Sequence, residues 1–363
     1  MRGSPDLQMT MLTTVSTEAM VPADHPRRRI RTIVDAVLAE MDSDFEAMYS
    51  SIGRPSVPPE TLLKSTVLMA MFSIRSERAF CQHLTYNLLF KWFLDLPIDA
   101  PVFDPTTFTK NRERLLQAEI ADRFLAEVVK QAKLRRCISS EHFSVDGTLL
   151  EAWASHKSFR PKDDDGRGGP PSVGRNPEVD YHGERRSNET HCSTTDPEAR
   201  LARKGDSVAA KLSYAGHLLM ENRSALIADM DLSLATGYAE RETALRLLRR
   251  LPKSVRRRTV AGDKGYDTRD FVAGCREIGV TPHVTQNTTH RHSAIDGRTT
   301  RHAGHVTSLR IRKRIEEPFG WMKTVAGGRK LRYIGLQRNR AWFLMTGAAY
   351  NLIRIAALDA AAG

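Results

Sequence analysis

Cysteine is scarce in this chain. Cys81, Cys137, Cys192 and Cys275 are the only four in 363 residues, they stand far apart, and none makes a Cys-x-x-Cys pair. Neither a disulfide framework nor a thiolate zinc knot is indicated, which suits a reducing cytoplasm. Long apolar runs are also missing: no stretch reads as approaching the roughly 20 residues of a membrane-spanning helix. Met1 to Met20 lacks the sustained apolar core of a signal peptide, so a cytoplasmic chain without membrane attachment is expected. Acidic residues are outnumbered, 43 Asp and Glu against 55 Lys and Arg, leaving a net charge of +12 and a pI near 9.7. That balance favours a polyanionic partner, since each phosphate neutralised releases counterions, although the same charge also serves solubility or an anionic membrane surface. Large apolar side chains are nearly absent from about His156 to Asp206. Such a stretch buries too little surface to offset its ordering entropy and reads as a mobile insertion.

What is present centres on Ser308 to Lys323, Ser-Leu-Arg-Ile-Arg-Lys-Arg-Ile-Glu-Glu-Pro-Phe-Gly-Trp-Met-Lys, which reads as a helix. Arg312, Glu316 and Lys323 fall at i, i+4 and i+11, so successive turns bring them to roughly one face with Phe319 between them. A carboxylate supplies a hard oxygen ligand to Mg²⁺, and flanking cations neutralise phosphate oxygens. A solvated charged helix would carry the same residues. Glu317 rivals Glu316, but one residue turns the side chain about 100° away from the Arg312 and Lys323 face, which favours Glu316.

Two more carboxylates stand upstream. His142 to Thr148 reads as a short strand ending in Asp146, with Gly147 allowing a turn straight after it. Thr259 to Asp267 repeats the arrangement, a brief β-branched run and then Asp263, Lys264 and Gly265. In open α/β sheets ligands gather outside strand ends, so two such aspartates and a glutamate on a later helix would complete a three-carboxylate cage. Taken singly, each Asp is more often a helix cap or a turn residue.

Together these segments resemble the DDE-type transposases of bacterial insertion sequences, and within them the fifth insertion-sequence family. That family's signature, Tyr-x-x-Arg-x-x-x-Glu-x-x-x-x-x-x-Lys, is met in register by Arg312, Glu316 and Lys323, while its Tyr position holds Leu309 and loses a hydroxyl. The resemblance reaches the front region around Arg54 to Arg114 and so covers most of the chain. It implies metal-dependent DNA strand cleavage and strand transfer at the ends of an insertion sequence. Asp146, Asp263 and Glu316 would be the catalytic, metal-holding residues, with Mg²⁺ or Mn²⁺ as the metal and two ions per site. Arg312 and Lys323 would steady the DNA strand. The implied partners are the terminal inverted repeats and target DNA, with a second copy of the chain, since two ends must be brought together. A DNA-binding regulator without chemistry, or a decayed transposase, is the alternative.

Four regions follow along the chain. Residues 1–50 read as a flexible tail and a basic amphipathic helix, with Arg27, Arg28, Arg29 and Arg31 either on phosphates or on a solvated face. Residues 51–137 read as an all-α domain of a helix at Leu62 to Phe72, another at Ser76 to Phe93, and a last one opened by Asp104 to Thr107. Lys110, Arg112 and Arg114 near that last helix start would touch DNA, although a plain helical bundle reads equally well. Residues 138–338 order a strand, a hairpin, a helix, a strand, a helix and a strand, which suits a ribonuclease H-like α/β domain with a mixed sheet flanked by helices. Within it His290, His292, His302 and His305 lie in a polar loop that is either a basic segment near DNA or, less in keeping with its lack of cysteine, a zinc site. Residues 339–363 read as a C-terminal helix packing on that domain.

Overall fold

The computed structural model of the chain describes residues 16–50, 52–53, 55–117, 119–162, 186–205, 208–289 and 291–362. They divide into two compact units. The first holds the residues up to Ile138 together with Trp321–Gly327 and the chain from Leu344 onward; the second holds Ser139–Gly320 and Gly328–Phe343.

Helices make the first unit: α1 (Thr17–Met20), α2 (Arg27–Glu40), α3 (Asp42–Met48), α4 (Pro59–Met71), α5 (Glu77–Tyr86), α6 (Leu88–Phe93), α7 (Thr106–Gln117) and α8 (Ile120–Leu134). In α2 the apolar stripe Ile30, Ile33, Val34, Val37 and Leu38 is buried, as its spacing requires. The helix expected across Ser76 to Phe93 is two, because Asn87 leaves the helical region and its side chain accepts from the Phe90 N–H (3.2 Å) to cap α6. Glu119, in the left-handed region at φ 49°, likewise separates α7 from α8.

Of the basic cluster at the start of α2, Arg29 is exposed, whereas Arg28 and Arg31 are engaged inside this unit. Arg28 donates to the Pro22 and Val21 carbonyls (2.8 and 2.6 Å) and pairs with Glu18. Arg31 donates to the Trp92 carbonyl (2.7 Å) and pairs with Asp95.

The second unit is built on β1 (His142–Glu151), β2 (Phe159–Pro161), β3 (His191–Ser193), β4 (Arg200–Ala202), β5 (Lys211–Glu221), β6 (Ile227–Leu234), α9 (Ala239–Arg250), β7 (Arg258–Gly262), α10 (Arg269–Glu277), β8 (Val280–Val284), α11 (Gly297–Thr300) and α12 (Ala303–Ile311). Strands β4-β5-β1-β7-β8 lie in that order and β6 also pairs with β5, so a six-stranded mixed sheet results. β1 is antiparallel to β5 and parallel to β7, which is parallel to β8. The strand, hairpin, helix, strand, helix, strand order is the one expected from the hydrophobic pattern. One face of the sheet buries Phe143, Val145 and Val260 against Ala244, Leu247 and Leu248 of α9 and Phe271, Val272 and Cys275 of α10. Each large aliphatic side chain so buried contributes about 1.5–3 kcal/mol.

Three expectations need correction here. Gly147 is not a turn: β1 continues to Glu151 because β5 pairs with it throughout, Gly147 opposite His217 and Glu151 opposite Ser213. Of the stretch expected as a mobile insertion, 156–162 and 186–205 are built into structure. β2 pairs with β3, the Ser158 and Ser193 hydroxyls bond (2.7 Å), and buried Asp196 accepts from the Tyr214 hydroxyl (2.7 Å). Phe159, buried and stacked on His191, packs there beside these hydrogen bonds; residues 163–185 lie outside the described residues. The polar loop after β8 contains α11 and α12, with His305 buried and bonded to the Val284 carbonyl (3.2 Å). His290 lies outside the described residues, and among those described no group of three or more His, Cys, Asp or Glu is arranged to hold a metal ion.

Beyond α12, Arg312–Ile315 tightens into a 3-10 turn that leads into α13 (Glu316–Thr324), and α14 (Leu336–Ala362) follows. α14 gives its residues up to Phe343 to the second unit and those from Leu344 to the first, so it does not pack only on the α/β unit as expected. Leu336–Ala361 is also long and apolar enough to cross a membrane by length and composition, contrary to the reading that no such run exists; 72% of its most apolar window is buried inside the protein. Apolar residues on all sides are what a helix enclosed by neighbours requires.

Candidate active site

Ser144 on β1 is the register partner of Ala261 on β7, and the strands are parallel. Asp146 and Asp263 each lie two residues further on, Asp146 within β1 and Asp263 just past the last residue of β7. Strand alternation puts Asp146 on the face opposite Phe143 and Val145. β7 ends at Gly262, where a Cβ would meet Val284 Cγ1 at 2.9 Å and the Tyr266 ring at 3.0 Å; only glycine lets the strand pass that close before releasing Asp263. Asp263 then accepts from the Gly265 N–H (2.7 Å) and caps the 3-10 turn Lys264–Tyr266. Asp267, almost wholly buried, accepts from the Asn287 and Ala294 N–H groups (2.6 and 2.8 Å) and ties the following loop down.

A third carboxylate belongs to the cluster, and it is Glu240, in the first turn of α9. Its Oε1 accepts from the Gly147 N–H and from the Tyr266 hydroxyl, both at 3.1 Å. The sequence reading missed it, since an acidic residue in a helix's first turn is ordinarily a partner for the helix dipole. Burial first, and then the charge of Glu240, push the Asp146 carboxyl up to about 6; the charge of Asp263 adds to this, while the Gly147 N–H and Arg312 oppose it. Burial and the charge of Asp263 raise Glu240 too, against its hydrogen bond from Tyr266. The Tyr266 phenol, fully enclosed beside the carboxylates, is raised well above its ordinary value by burial and then by Glu240, Asp146 and Asp263.

Of the residues singled out on the basic helix, Arg312 is half-buried and acts on Asp146. It stands in the 3-10 turn that packs on β1, where Arg314 donates to the Asn222 and Arg223 carbonyls (3.1 and 2.8 Å). Glu316 is exposed at the start of α13, and Glu317, also exposed, pairs with Arg314 (3.5 Å). Lys323 is half-buried in the last turn of α13, in the stretch that belongs to the first unit. In that unit Arg112 pairs with Glu77 (2.8 Å), Arg114 lies over the Tyr49 ring (4.5 Å to its centre), and Lys110 is exposed.

The charge balance around the two aspartates suits a divalent cation, although these three carboxylates are not arranged as a group of metal ligands. Asp146, Glu240 and Asp263 repel one another in a partly desolvated place where Arg312 is the cation acting most on Asp146, and a doubly charged ion would relieve that repulsion.

Two family models match successive parts of the chain. Residues 15–114 match the transposase domain DUF772, and residues 189–352 match the transposase DDE domain. Asp263, Glu240 and Glu316 fall within the second match, and Asp146 lies between the two. No curated protein sequence matches the chain. A cryo-EM structure of a piggyBac transposase synaptic complex with hairpin DNA is similar at 10% identity and a TM-score of 0.41, over 93% of this chain and 76% of that one. At that score the likeness fixes neither fold nor function. The two matched domains, in this order, identify the chain as a DDE-type DNA transposase of the insertion-sequence kind, a class of enzyme that depends on divalent metal.

Proposed function

We propose that the second unit is a ribonuclease H-like catalytic domain whose Asp146, Asp263 and Glu316 hold Mg²⁺ or Mn²⁺, two ions per site, for cleaving and joining DNA at the ends of an insertion sequence of the fifth family's kind. The observation that carries this reading is the pair Asp146, on β1, and Asp263, just past the end of the parallel β7, close enough for the charge of Asp263 to raise Asp146. Divalent ions bound there supply a lowered pKa for the attacking water or 3′-hydroxyl and charge stabilisation for the leaving oxygen.

The chain's own residues do the rest. Asp146 and Asp263 face the scissile phosphate from the sheet, and Glu316 approaches from the α13 side, where its exposure leaves it free to turn inward. Arg312, already the counter-charge of Asp146, forks onto a phosphate oxygen; Lys323, in the first unit, is a further cation for DNA. Lys110 and Arg114 belong to the front helices that would hold the terminal inverted repeats, where Arg112 is taken up by its pair with Glu77, with a second copy of the chain on the other end and target DNA as the last partner. Residence in the cytoplasm goes with that reading.

The test is a labelled duplex carrying the element's end, incubated with purified protein and Mg²⁺ or Mn²⁺. Wild type should nick and join it. Asp263→Ala should do neither yet still bind, because phosphate contacts come mainly from Lys and Arg elsewhere; equal activity in the two would remove the reading.

A further inference from the structure

Glu240 lies outside the residues that the transposase reading uses, yet it touches both aspartate-bearing segments. On one side, its Oε1 receives the N–H of Gly147, the residue next to Asp146. This bond lies beyond Ser144 and Ala261, the last register pair of β1 with β7, and the same N–H also reaches Asp146 Oδ1 (2.9 Å). On the other side, Oε1 receives the hydroxyl of Tyr266, which closes the 3-10 turn capped by Asp263. Arg241, the next residue of α9, adds a contact to that turn by donating to the Gly265 carbonyl (3.4 Å). The approach at Gly147 leaves no room for a side chain, since a Cβ there would stand 2.9 Å from Glu240 Cγ and 3.0 Å from its Oε1. Tyr266 is itself fixed, with its ring packed on Phe271 (5.0 Å between centres) and 1% exposed.

We infer that Glu240 is a positioning residue of the strand-cleavage site: one carboxylate oxygen, fixed at the start of α9, links β1 at Gly147 to the Asp263 turn at Tyr266 and so sets the spacing of Asp146 and Asp263. The inference rests on the proposed catalytic role of those two aspartates. Two segments that meet only at the end of a strand pair are free to splay, and a shared acceptor removes that freedom before any cation or DNA arrives. Supporting hydrogen bonds of this kind orient metal-holding side chains and tune the site without touching substrate. The role needs an acceptor oxygen at this point and does not need its negative charge.

That distinction gives the test. Glu240→Gln keeps an oxygen able to accept both hydrogen bonds, whereas Glu240→Ala removes it. Each variant is measured for cleavage of the labelled duplex end, and for Mn²⁺ binding in the absence of DNA by electron paramagnetic resonance. Alanine should lower cleavage by about a hundredfold, the scale at which small misplacements act, and raise the Mn²⁺ concentration for half-saturation by about tenfold, the lower end of what losing such a support costs. Glutamine should restore both to within about fivefold of wild type. Tyr266→Phe, which removes one donor and leaves the core filled, should fall between them. Cleavage and Mn²⁺ binding at wild-type level in Glu240→Ala would overturn the inference, as would a glutamine variant as damaged as alanine, since charge and not positioning would then be what matters. If Glu240→Ala unfolds, the glutamine and phenylalanine variants decide alone. Asp263→Ala, run in parallel, separates the two ideas: if it still cleaves, the catalytic reading fails, and if it is dead while Glu240→Ala is active, only the positioning role fails.

Discussion

One part of the acid response of the α/β unit is a loss of stability through His217, in the middle of β5, and the size of that part follows from where the ring lies. His217 is 2% exposed, its Nε2 is 2.8 Å from the Ser233 hydroxyl, and its Nδ1 makes no hydrogen bond. Burial lowers its pKa from the ordinary 6.5 to about 4; Asp231 pulls the other way, and Arg246 adds to the lowering. The sign is set by which state takes the proton first. The unfolded chain protonates this imidazole below about 6.5 and the folded chain only below about 4, so stability is full above the higher value and falls as pH drops between the two. A shift of that size is worth about 3 kcal/mol once both states are protonated, at roughly 1.4 kcal/mol per unit. Between pH 7.5 and pH 5 the share lost is about 2 kcal/mol.

His217→Gln keeps a polar end for Ser233 and cannot take up the proton. Urea unfolding of both proteins at the two pH values, read by amide exchange in β5 peptides, isolates the contribution. His283 is also lowered to about 4 by burial and by the charges of His305, His142 and His302, and Asp146 and Asp229, raised to about 6 first by burial, act with the opposite sign, but all three stay in both proteins and cancel. Wild type should lose about 2 kcal/mol more than the variant on going from pH 7.5 to 5. Parallel losses in the two would refute the reasoning.

The remaining expectations are simpler. At Gly216, in the middle of β5, a Cβ would fall 2.8 Å from Phe343 Cζ and 3.2 Å from Leu150 Cδ1, so Gly216→Ala should cost about 1–3 kcal/mol in urea unfolding. A urea midpoint as high as that of wild type would mean that the packing there yields more than the contacts suggest. Among the front basic residues, Lys110→Ala should weaken DNA binding and reduce its salt slope by about one. Arg112→Ala, which breaks the half-buried pair with Glu77, should instead lower stability and leave the salt slope nearly as it was. Filter binding across a salt series distinguishes them, and identical slopes for both variants would contradict the assignment.

The order of elements in the second unit was legible because each has a plain local signal. Val260 and its neighbours stop at Gly262, Thr268 caps α10, and α9 carries its leucines at helical spacing. The fate of Gly147 was not legible: a glycine after a short apolar run reads as a turn, and only the distant partner β5 keeps the strand going. The same holds for Glu119, whose positive φ leaves no mark in a sequence that otherwise continues a helix. In the candidate site, Asp146 and Asp263 stood out as acids beside glycines at strand-like runs. Glu240 did not, because its meaning comes from what α9 is packed against. Arg27, Arg28, Arg29 and Arg31 read either as a surface for phosphate or as a solvated face, and neither reading could show that the carbonyls and carboxylates that claim Arg28 and Arg31 lie on other helices and loops. Composition could not reveal strands β2, β3 and β4 either, since a single buried Phe159 anchors that region together with paired hydroxyls and a buried Tyr214–Asp196 bond.

The route of the polypeptide has a consequence for how the molecule is made. Trp321 lies against Tyr350 (5.9 Å between ring centres), Ser73 bonds the Val325 carbonyl, and Arg135 pairs with Asp359 (3.3 Å), so the helical unit is closed by segments synthesised after the whole sheet. A ribosome that has finished residue 138 has delivered most of that unit's helices but not its lid. Vectorial folding therefore completes the front of the protein last, and a fragment cut at 138 would carry a bare apolar surface where α14 belongs.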